Sequence, residues 1–189
     1  MKVLKIIGLV VGGLVALFLI VAAVLPASYR IQRSIEINQP AEVIYELVVN
    51  LPNWPRWDPF TQNDPSMKST FNGEAGTIGS KWEWEGKDGT GRMTIEEVVA
   101  NQSIRSKLEF LTPQAMVAAD NWSLTSTANG TKVAWVVTGD LDYPVGRVFG
   151  LFMEGMLGPT FEQGLANLKK VSEQQVEPAV TTLSDSSSK

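Results

Sequence analysis

Alternation of apolar and polar side chains is the feature that most constrains the fold of this 189-residue chain. Residues 29–37 alternate in this way, and six further short segments follow between residues 67 and 138. Such alternation predicts strands that have one face on a core and the other in water. Turn sequences between the segments, such as Asn129-Gly130, are typical of antiparallel neighbours.

Helical patterns lie on both sides of the six later segments. Apolar residues at helical spacing follow Pro40, and we expect Asn38 to cap this short helix. A longer helix is predicted over residues 145–174, with a kink at Gly158-Pro159. The predicted fold class is therefore α+β, with a curved antiparallel sheet of about seven strands wrapped around a long C-terminal helix.

Residues 6–25 contain no charged or strongly polar side chain. A helix of this length spans roughly 30 Å, about the thickness of the hydrocarbon core of a bilayer. We therefore predict that residues 1–27 form a single-pass transmembrane anchor and place the soluble domain outside the cytoplasm, which is the periplasm if the source is bacterial. Cleavage after the small residues Val21-Ala22-Ala23, as in a secretory leader, is the alternative. The spacing of Gly8 and Gly12 would allow a weak homodimer, although glycine is common in such helices.

The rest of the chain divides into one domain, residues 28–174, and a serine-rich segment, 175–189, that we predict to be a disordered tail. The chain has neither His nor Cys, so the usual zinc and haem ligands and the usual nucleophile–base pairs are absent. The net charge of -4 argues against nucleic acid, whose phosphates require an excess of Lys and Arg. We expect no cofactor, no metal and no nucleic-acid partner.

A helix gripped by a curved sheet encloses a cavity wherever the side chains between them do not fill the space. Aromatic and methionine side chains are abundant on the predicted inner faces, and Met adapts to irregular apolar ligands. Packing of the core is the alternative role for each of these side chains. The candidate ligand-binding residues are Trp82, Trp84, Met93, Phe110, Asp120, Trp122, Trp135, Phe149, Phe152 and Met153.

Two acidic residues occupy strand positions at which the alternation places inward-facing apolar side chains. Asp120 falls on the face of Trp122, where a buried carboxyl would have a raised pKa and would orient a ligand hydroxyl or act as an acid or base. A strand end or a β-bulge would instead place it in water, and the same two readings apply to Glu97. Trp54 and Trp57 lie in a proline-rich loop, where we expect them to cap the core rather than to line a pocket mouth or reach a bilayer interface.

Three stretches of sequence, read together, resemble a known superfamily. They are residues 33–48 followed by Trp54-Pro55-Arg56-Trp57-Asp58-Pro59, the Asn129-Gly130 hairpin, and residues 161–169. In order and spacing they are similar to the START-like helix-grip (SRPBCC) superfamily, in particular to its polyketide cyclase/dehydrase and lipid-transport branch. The resemblance covers about residues 29–172 and implies the helix-grip fold. It transfers no catalytic residue, because this branch has no catalytic motif to match, and its members include both carriers and enzymes.

These observations lead to one principal hypothesis and two alternatives. The principal one is a membrane-tethered START-like domain that binds a hydrophobic lipid- or isoprenoid-like small molecule between the sheet and the C-terminal helix. The first alternative is a polyketide cyclase- or dehydratase-like enzyme that uses a shielded carboxylate such as Asp120 or Glu97. The second is a ligand-free interaction domain, which a densely packed interior would favour.

Overall fold

The structure, a computed structural model, describes residues 2–174; the tail predicted over residues 175–189 lies outside them. The helices are α1 Lys2–Val24, α2 Ala41–Val49, α3 Pro59–Asn63 and α4 Val145–Gln174, with a 3-10 helix at Leu51–Arg56. The strands are β1 Ser28–Ile37, β2 Lys68–Asn72, β3 Lys81–Gly86, β4 Gly89–Val99, β5 Ser103–Thr112, β6 Met116–Thr127 and β7 Gly130–Asp140.

All seven strands form one antiparallel sheet in the order β1-β7-β6-β5-β4-β3-β2. Each strand from β3 to β7 pairs with its predecessor in sequence, as expected of a meander, and β1 pairs with β7 at the other edge of the sheet from β2. The core lies between the inner face of this sheet and the helices α2 and α4. The predicted α+β helix-grip architecture is confirmed.

One end of the sheet lies beside the N-terminal helix α1. The strands run antiparallel, so the starts of some strands and the ends of their neighbours meet there. Ser28, four residues after α1, pairs with Asp140, and the neighbouring pairs along this edge are Ala118 with Gly139 and Phe110 with Met116. The β3–β4 turn between Gly86 and Gly89 lies at the same end of the sheet. We call this end of the sheet the anchor end, after the anchor predicted over residues 1–27, because α1 joins the domain there.

Helix α1 is long and apolar enough to cross a membrane. Its side chains are exposed almost throughout, and Ala22 is its only buried residue. Two hydrogen bonds join it to the first turn of α4 and to the loop just before it: the Tyr143 hydroxyl donates to the Leu19 carbonyl over 3.1 Å, and Arg147 Nη1 donates to the Ala23 carbonyl over 3.4 Å.

The start of α2 differs from the prediction. The N-cap residue is Pro40, and no side chain caps the helix. Asn38 lies two residues too early, because the Gln39 amide turns back to the Ile37 carbonyl (2.9 Å) before the helix begins. The Asn38 amide instead donates to the Glu173 carboxylate of α4 over 3.2 Å.

Strand β4 contains an irregularity that decides the position of Glu97. The pairing register with β5 shifts between Ile95 and Glu97, so that Ile95 is buried and Glu97 is exposed. At this exposed position, the Glu97 carboxylate accepts a hydrogen bond from Arg105 over 3.0 Å. The shielded-carboxylate hypothesis is therefore wrong for Glu97, because a β-bulge inverts the alternation at this point.

Helix α4 continues as one helix through Gly158-Pro159, and the kink expected there stays a prediction. Arg33 of β1 lies against it and binds Glu154 (2.6 Å) and Glu162 (2.7 Å), one helical turn on either side of Gly158. A Cβ at Gly158 would meet the Arg33 guanidinium at 2.1 Å, so the glycine leaves room for this double ion pair. The contact ties β1 to the middle of the helix.

Candidate functional site

The interior of the domain is not completely filled. A cavity of about 390 Å³ lies between the inner face of the sheet, the loop before α3, and α4. Seven of the ten candidate ligand-binding residues line it: Trp82, Trp84, Met93, Phe110, Asp120, Trp135 and Met153. The strands contribute six of these, because alternate residues of adjacent strands project onto one face of the sheet.

The other three candidates lie elsewhere. Trp122 is buried beside the cavity, where its ring stacks on that of Trp135 with centroids 4.6 Å apart. Phe149 and Phe152 are 50% and 60% exposed on the outside of α4, so the expectation that they face the interior is wrong. In the first turns of α4 it is Gly150 that packs against Leu141. A Cβ atom added to Gly150 would lie 2.4 Å from a Leu141 methyl group. Hydrophobicity alone could not show that a glycine face, and not the phenylalanines, packs inward.

Further lining residues were not among the candidates. The aromatic and aliphatic ones are Tyr29, Trp54, Phe60, Met67, Leu108, Met116, Val137, Leu157 and Phe161. Exposed polar side chains form the mouth of the cavity: Asn63, Lys87 and Asp88. Lys87 and Asp88 belong to the β3–β4 turn, so the mouth opens at the anchor end of the sheet.

All six tryptophans of the chain belong to one aromatic cluster. Trp54 and Trp57 are buried in it, with ring centroids 4.7 Å apart, which agrees with a role in capping the core. Their indole N–H groups donate to the backbone carbonyls of Val48 (2.7 Å) and Leu47 (3.1 Å), so neither buried nitrogen lacks a partner. The cluster continues to α4 through Phe161.

Asp120 lies within this cluster and is almost inaccessible to water, with 1% of its surface exposed. Its two carboxylate oxygens accept hydrogen bonds from the indole N–H groups of Trp122 (2.8 Å) and Trp135 (2.5 Å). Burial raises the pKa of Asp120 to about 7, the two indoles act against this shift, and the charge of Asp58 adds to it. Of the two readings left open for Asp120, the buried one is correct.

Asp58 is a second buried carboxylate on the cavity wall, and the sequence analysis did not select it. It is the N-cap of α3, and its Oδ2 accepts from the backbone N–H (2.8 Å) and hydroxyl (2.7 Å) of Thr61. Its Oδ1 is buried and has no hydrogen-bond partner among residues 2–174. Burial raises the pKa of Asp58, and donors in the first turn of α3 offset this only partly. An Asp directly before Pro59 is a helix-start signal that indicated its position but not its burial.

The site therefore combines apolar walls with three buried carboxyl groups, Asp58, Asp64 and Asp120. Within residues 2–174, no group of three or more His, Cys, Asp or Glu side chains is placed to hold a metal ion. Apolar surface favours a hydrophobic occupant, and a few polar groups fix its orientation.

Comparison with known families agrees with this arrangement. A sequence profile described as "Polyketide cyclase / dehydrase and lipid transport" matches residues 28–173. The chain belongs to this family. A comparison with curated protein sequences finds no significant match. Membership of the polyketide cyclase/dehydrase and lipid-transport family makes the domain one of a hydrophobic-ligand-binding or cyclase-like kind, without deciding between the two.

Solved structures show the same fold at low sequence identity. A protein from Chromobacterium violaceum is 17% identical, with a TM-score of 0.58 over 78% of this chain and 98% of that one. A Mesorhizobium loti protein is 14% identical, with a TM-score of 0.58 over 79% and 100% of the two chains. The di-domain ARO/CYC protein StfQ of the steffimycin biosynthetic pathway is 12% identical, with a TM-score of 0.63 over 79% of this chain and 52% of its own. These likenesses concern the fold alone.

Proposed function

We propose that this protein is a membrane-tethered binding domain for a hydrophobic small molecule of lipid or isoprenoid type. The observation that carries the proposal is the cavity of about 390 Å³ enclosed by tryptophan, phenylalanine and methionine side chains. Small-molecule sites begin at roughly 300 Å³, so the interior has room for a ligand, and a densely packed interaction domain would not have it. Burial of apolar ligand surface at about 25 cal/mol per Å² would supply most of the affinity.

Two features of the anchor end support the tether. The apolar helix α1 joins the domain there, and the nearby first half of α4 carries exposed apolar side chains. These are Val145, Phe149, Leu151, Phe152 and Met156, each at least half exposed. An exposed apolar patch of this kind commonly marks a contact with a membrane or a partner. With α1 in a bilayer, the patch and the cavity mouth would face the lipid, and the domain would lie on the extracytoplasmic side.

The proposal is tested on the full chain, extracted gently in a non-ionic detergent. Native mass spectrometry is expected to show an added mass that organic solvent removes, and the emptied protein is expected to bind a hydrophobic dye. Met153→Trp would fill the cavity and abolish dye binding, whereas Met156→Trp, three residues along the same helix but 57% exposed, would leave it unchanged. Circular dichroism establishes that both variants fold, and Leu157→Trp, also on the cavity wall, replaces Met153→Trp if that variant does not. A folded protein with neither copurifying mass nor dye binding contradicts the proposal.

A cyclase- or dehydratase-like activity is the second candidate, and the position of Asp120 favours it. A carboxyl group with its pKa raised by burial to about 7, in contact with a ligand cavity, is poised for proton transfer near neutral pH. Asp120→Asn separates the two functions. An enzyme would lose turnover of a bound polyketide-like substrate by at least about a hundredfold, the usual contribution of an acid or base. A carrier would show no turnover before or after the substitution.

The weak homodimer through Gly8 and Gly12 remains a proposal. Neither glycine has a neighbouring atom within 4 Å of a Cβ built on it, so their face of α1 is open to a second helix. Chemical cross-linking in bilayers at increasing dilution, with Gly12→Leu as the variant, tests this contact.

A further inference from the structure

Tyr29 presents an unpaired hydroxyl to the interior of the domain. The residue is 9% exposed, and its hydroxyl forms no hydrogen bond with another residue in the range 2–174. The side-chain polar atoms in this range that are fully enclosed and lack a partner belong to Asn50, Asp58 and Arg147, so the Tyr29 oxygen keeps accessible surface. Burial raises the pKa of Tyr29, so the hydroxyl stays protonated and able to donate near neutral pH.

The position of the ring directs this hydroxyl toward the cavity. Tyr29 lies on the edge strand β1 and pairs with Gly139 of β7, which pairs in turn with Ala118 of β6. A Cβ built on Gly139 would lie 2.8 Å from the Tyr29 hydroxyl oxygen, so the end of the ring lies over the glycine. The ring therefore extends from the edge strand toward the centre of the sheet, where Val137 and Asp120 line the cavity of about 390 Å³.

Tyr29 also borders a second, smaller cavity of about 160 Å³. That cavity is lined by residues of β1 and α4 and of the segments just before them. Because the hydroxyl end of the ring lies over β7, it faces the larger cavity, and the smaller cavity meets the β1 side of the ring.

The other buried polar side chains of the cavity wall are already bonded to the protein. They are Trp54, Trp82, Trp135, Asp58, Asp64 and Asp120. Within residues 2–174, Tyr29 is therefore the one buried residue of the wall whose polar side chain makes no hydrogen bond to the protein. The three carboxyl groups would repel an anionic ligand when they are ionised.

A hydroxyl of this kind in an apolar cavity favours a ligand that pairs with it. Resting on the hydrophobic-ligand function proposed above, we propose that the occupant is a neutral hydrophobic molecule with a ketone or hydroxyl oxygen, and that this oxygen accepts a hydrogen bond from the Tyr29 hydroxyl. The apolar remainder of the molecule fills the tryptophan- and methionine-lined space. Tyr29 thereby selects an oxygenated ligand over a hydrocarbon of the same shape.

The probes for this inference are 1-tetralone and tetralin, which share two fused rings and differ in one ketone oxygen. Both are titrated into the delipidated full chain in a non-ionic detergent, with binding measured by displacement of a hydrophobic dye. Tyr29→Phe removes the hydroxyl and keeps the ring. It is expected to weaken 1-tetralone about threefold to tenfold, the contribution of one neutral hydrogen bond, and tetralin less than about twofold. Partition of the probes into micelles cancels, because both proteins are compared in the same detergent.

Tyr45→Phe is the matched control. Tyr45 is 8% exposed in the core but does not line the cavity, so its loss of a hydroxyl should change neither affinity by more than about twofold. The infrared carbonyl stretch of bound 1-tetralone reports the hydrogen bond directly. We expect it at a lower frequency in the wild-type protein and in Tyr45→Phe than in Tyr29→Phe, because an accepted hydrogen bond weakens the C=O bond. The empty Tyr29→Phe protein should be no less stable than the wild-type protein, since its hydroxyl has no partner to lose.

Three outcomes overturn the inference. If the dye binds but 1-tetralone does not displace it, or if Tyr29→Phe affects both probes alike or leaves the carbonyl frequency unchanged, the Tyr29 hydroxyl does not hold a ligand oxygen, while the proposed hydrophobic-ligand function stands. If Tyr45→Phe weakens 1-tetralone as strongly as Tyr29→Phe does, the effect does not arise at the cavity wall. If neither probe nor the dye binds to the folded protein, the proposed function fails together with the inference.

Discussion

The protein has two apolar regions, a buried cluster of tryptophans and an exposed surface at the anchor end. The interior cluster of tryptophans encloses Asp120 and Asp58 and provides each buried indole N–H described above with an acceptor. The anchor end, formed by α1 and the first half of α4, exposes its apolar side chains to the surroundings. The interior therefore leaves a cavity and the Asp58 Oδ1 atom on its wall without a hydrogen-bond partner within residues 2–174, whereas the anchor end leaves apolar side chains uncovered. Helix α4 belongs to both regions.

The largest expected difference between the regions is in folding stability. Phe161 is buried and stacks on Trp135 with centroids 4.2 Å apart, whereas Phe152 of the same helix is 60% exposed. Phe161→Ala should lower the free energy of unfolding by about 3–5 kcal/mol, and Phe152→Ala by less than about 0.5 kcal/mol. Chemical denaturation of the detergent-solubilised full chain measures both. Equal losses would show that the two halves of α4 are packed alike.

The interior should also make stability depend on pH. Because burial raises the pKa of Asp120 to about 7, the folded protein binds more protons than the unfolded chain between about pH 4 and pH 7. Stability is therefore expected to fall as the pH rises through this window, by at most about 1.4 kcal/mol per pH unit for this group. The raised pKa of Asp58 acts in the same direction.

Asp120→Asn should flatten this dependence, which denaturation midpoints at about pH 5 and about pH 7.5 would measure. Glu109 behaves oppositely, because Arg92 and Lys107 lower its pKa to about 2. Its contribution is lost only as the pH falls below about 4.5, outside the measured window. A slope that is unchanged in the Asn variant would exclude Asp120 as its source.

The smallest expected effect is a difference in the surroundings of two exposed side chains, one at the anchor end and one at the opposite end of the sheet, with no change in folding stability. The chain has no cysteine, so Phe152→Cys and Val99→Cys each accept a single nitroxide label. Both side chains are exposed, but Val99 ends β4 at the opposite edge of the sheet. The measurement compares how often each label collides with oxygen, which concentrates in apolar phases, and with a water-soluble nickel complex. In lipid nanodiscs we expect the label at position 152 to collide more often with oxygen and the label at position 99 to collide more often with the nickel complex. The same order at both positions would contradict contact between α4 and the lipid.

Most of the fold could be predicted from the sequence, because alternation in a sheet with one solvated face is a local property. The six segments between residues 67 and 138 became β2 to β7, and residues 29–37 became β1. The errors arose where packing or register overrides local pattern. The bulge after Ile95 turned Glu97 outward, and the Gly150 face of α4 displaced Phe149 from the interior.

The site was only partly predictable for a related reason. Strand alternation identified Asp120 and five other strand residues of the cavity wall, since residues of equal parity share one face of the sheet. Asp58 lies in a loop, where no periodicity indicates which way a side chain faces, and only the three-dimensional structure shows that its Oδ1 is buried. The burial of Asp58 was therefore beyond the reach of sequence patterns.

The arrangement of the tryptophans has a practical consequence. Because every indole of the chain lies in the cluster around Asp120, the tryptophan emission of the protein, excited at wavelengths that tyrosine does not absorb, arises from the neighbourhood of the cavity. Cargo entering that space, or a proton leaving Asp120, would change the polarity that the indoles sense. Tryptophan fluorescence therefore reports on occupation of the cavity without a contribution from α1, which contains no tryptophan.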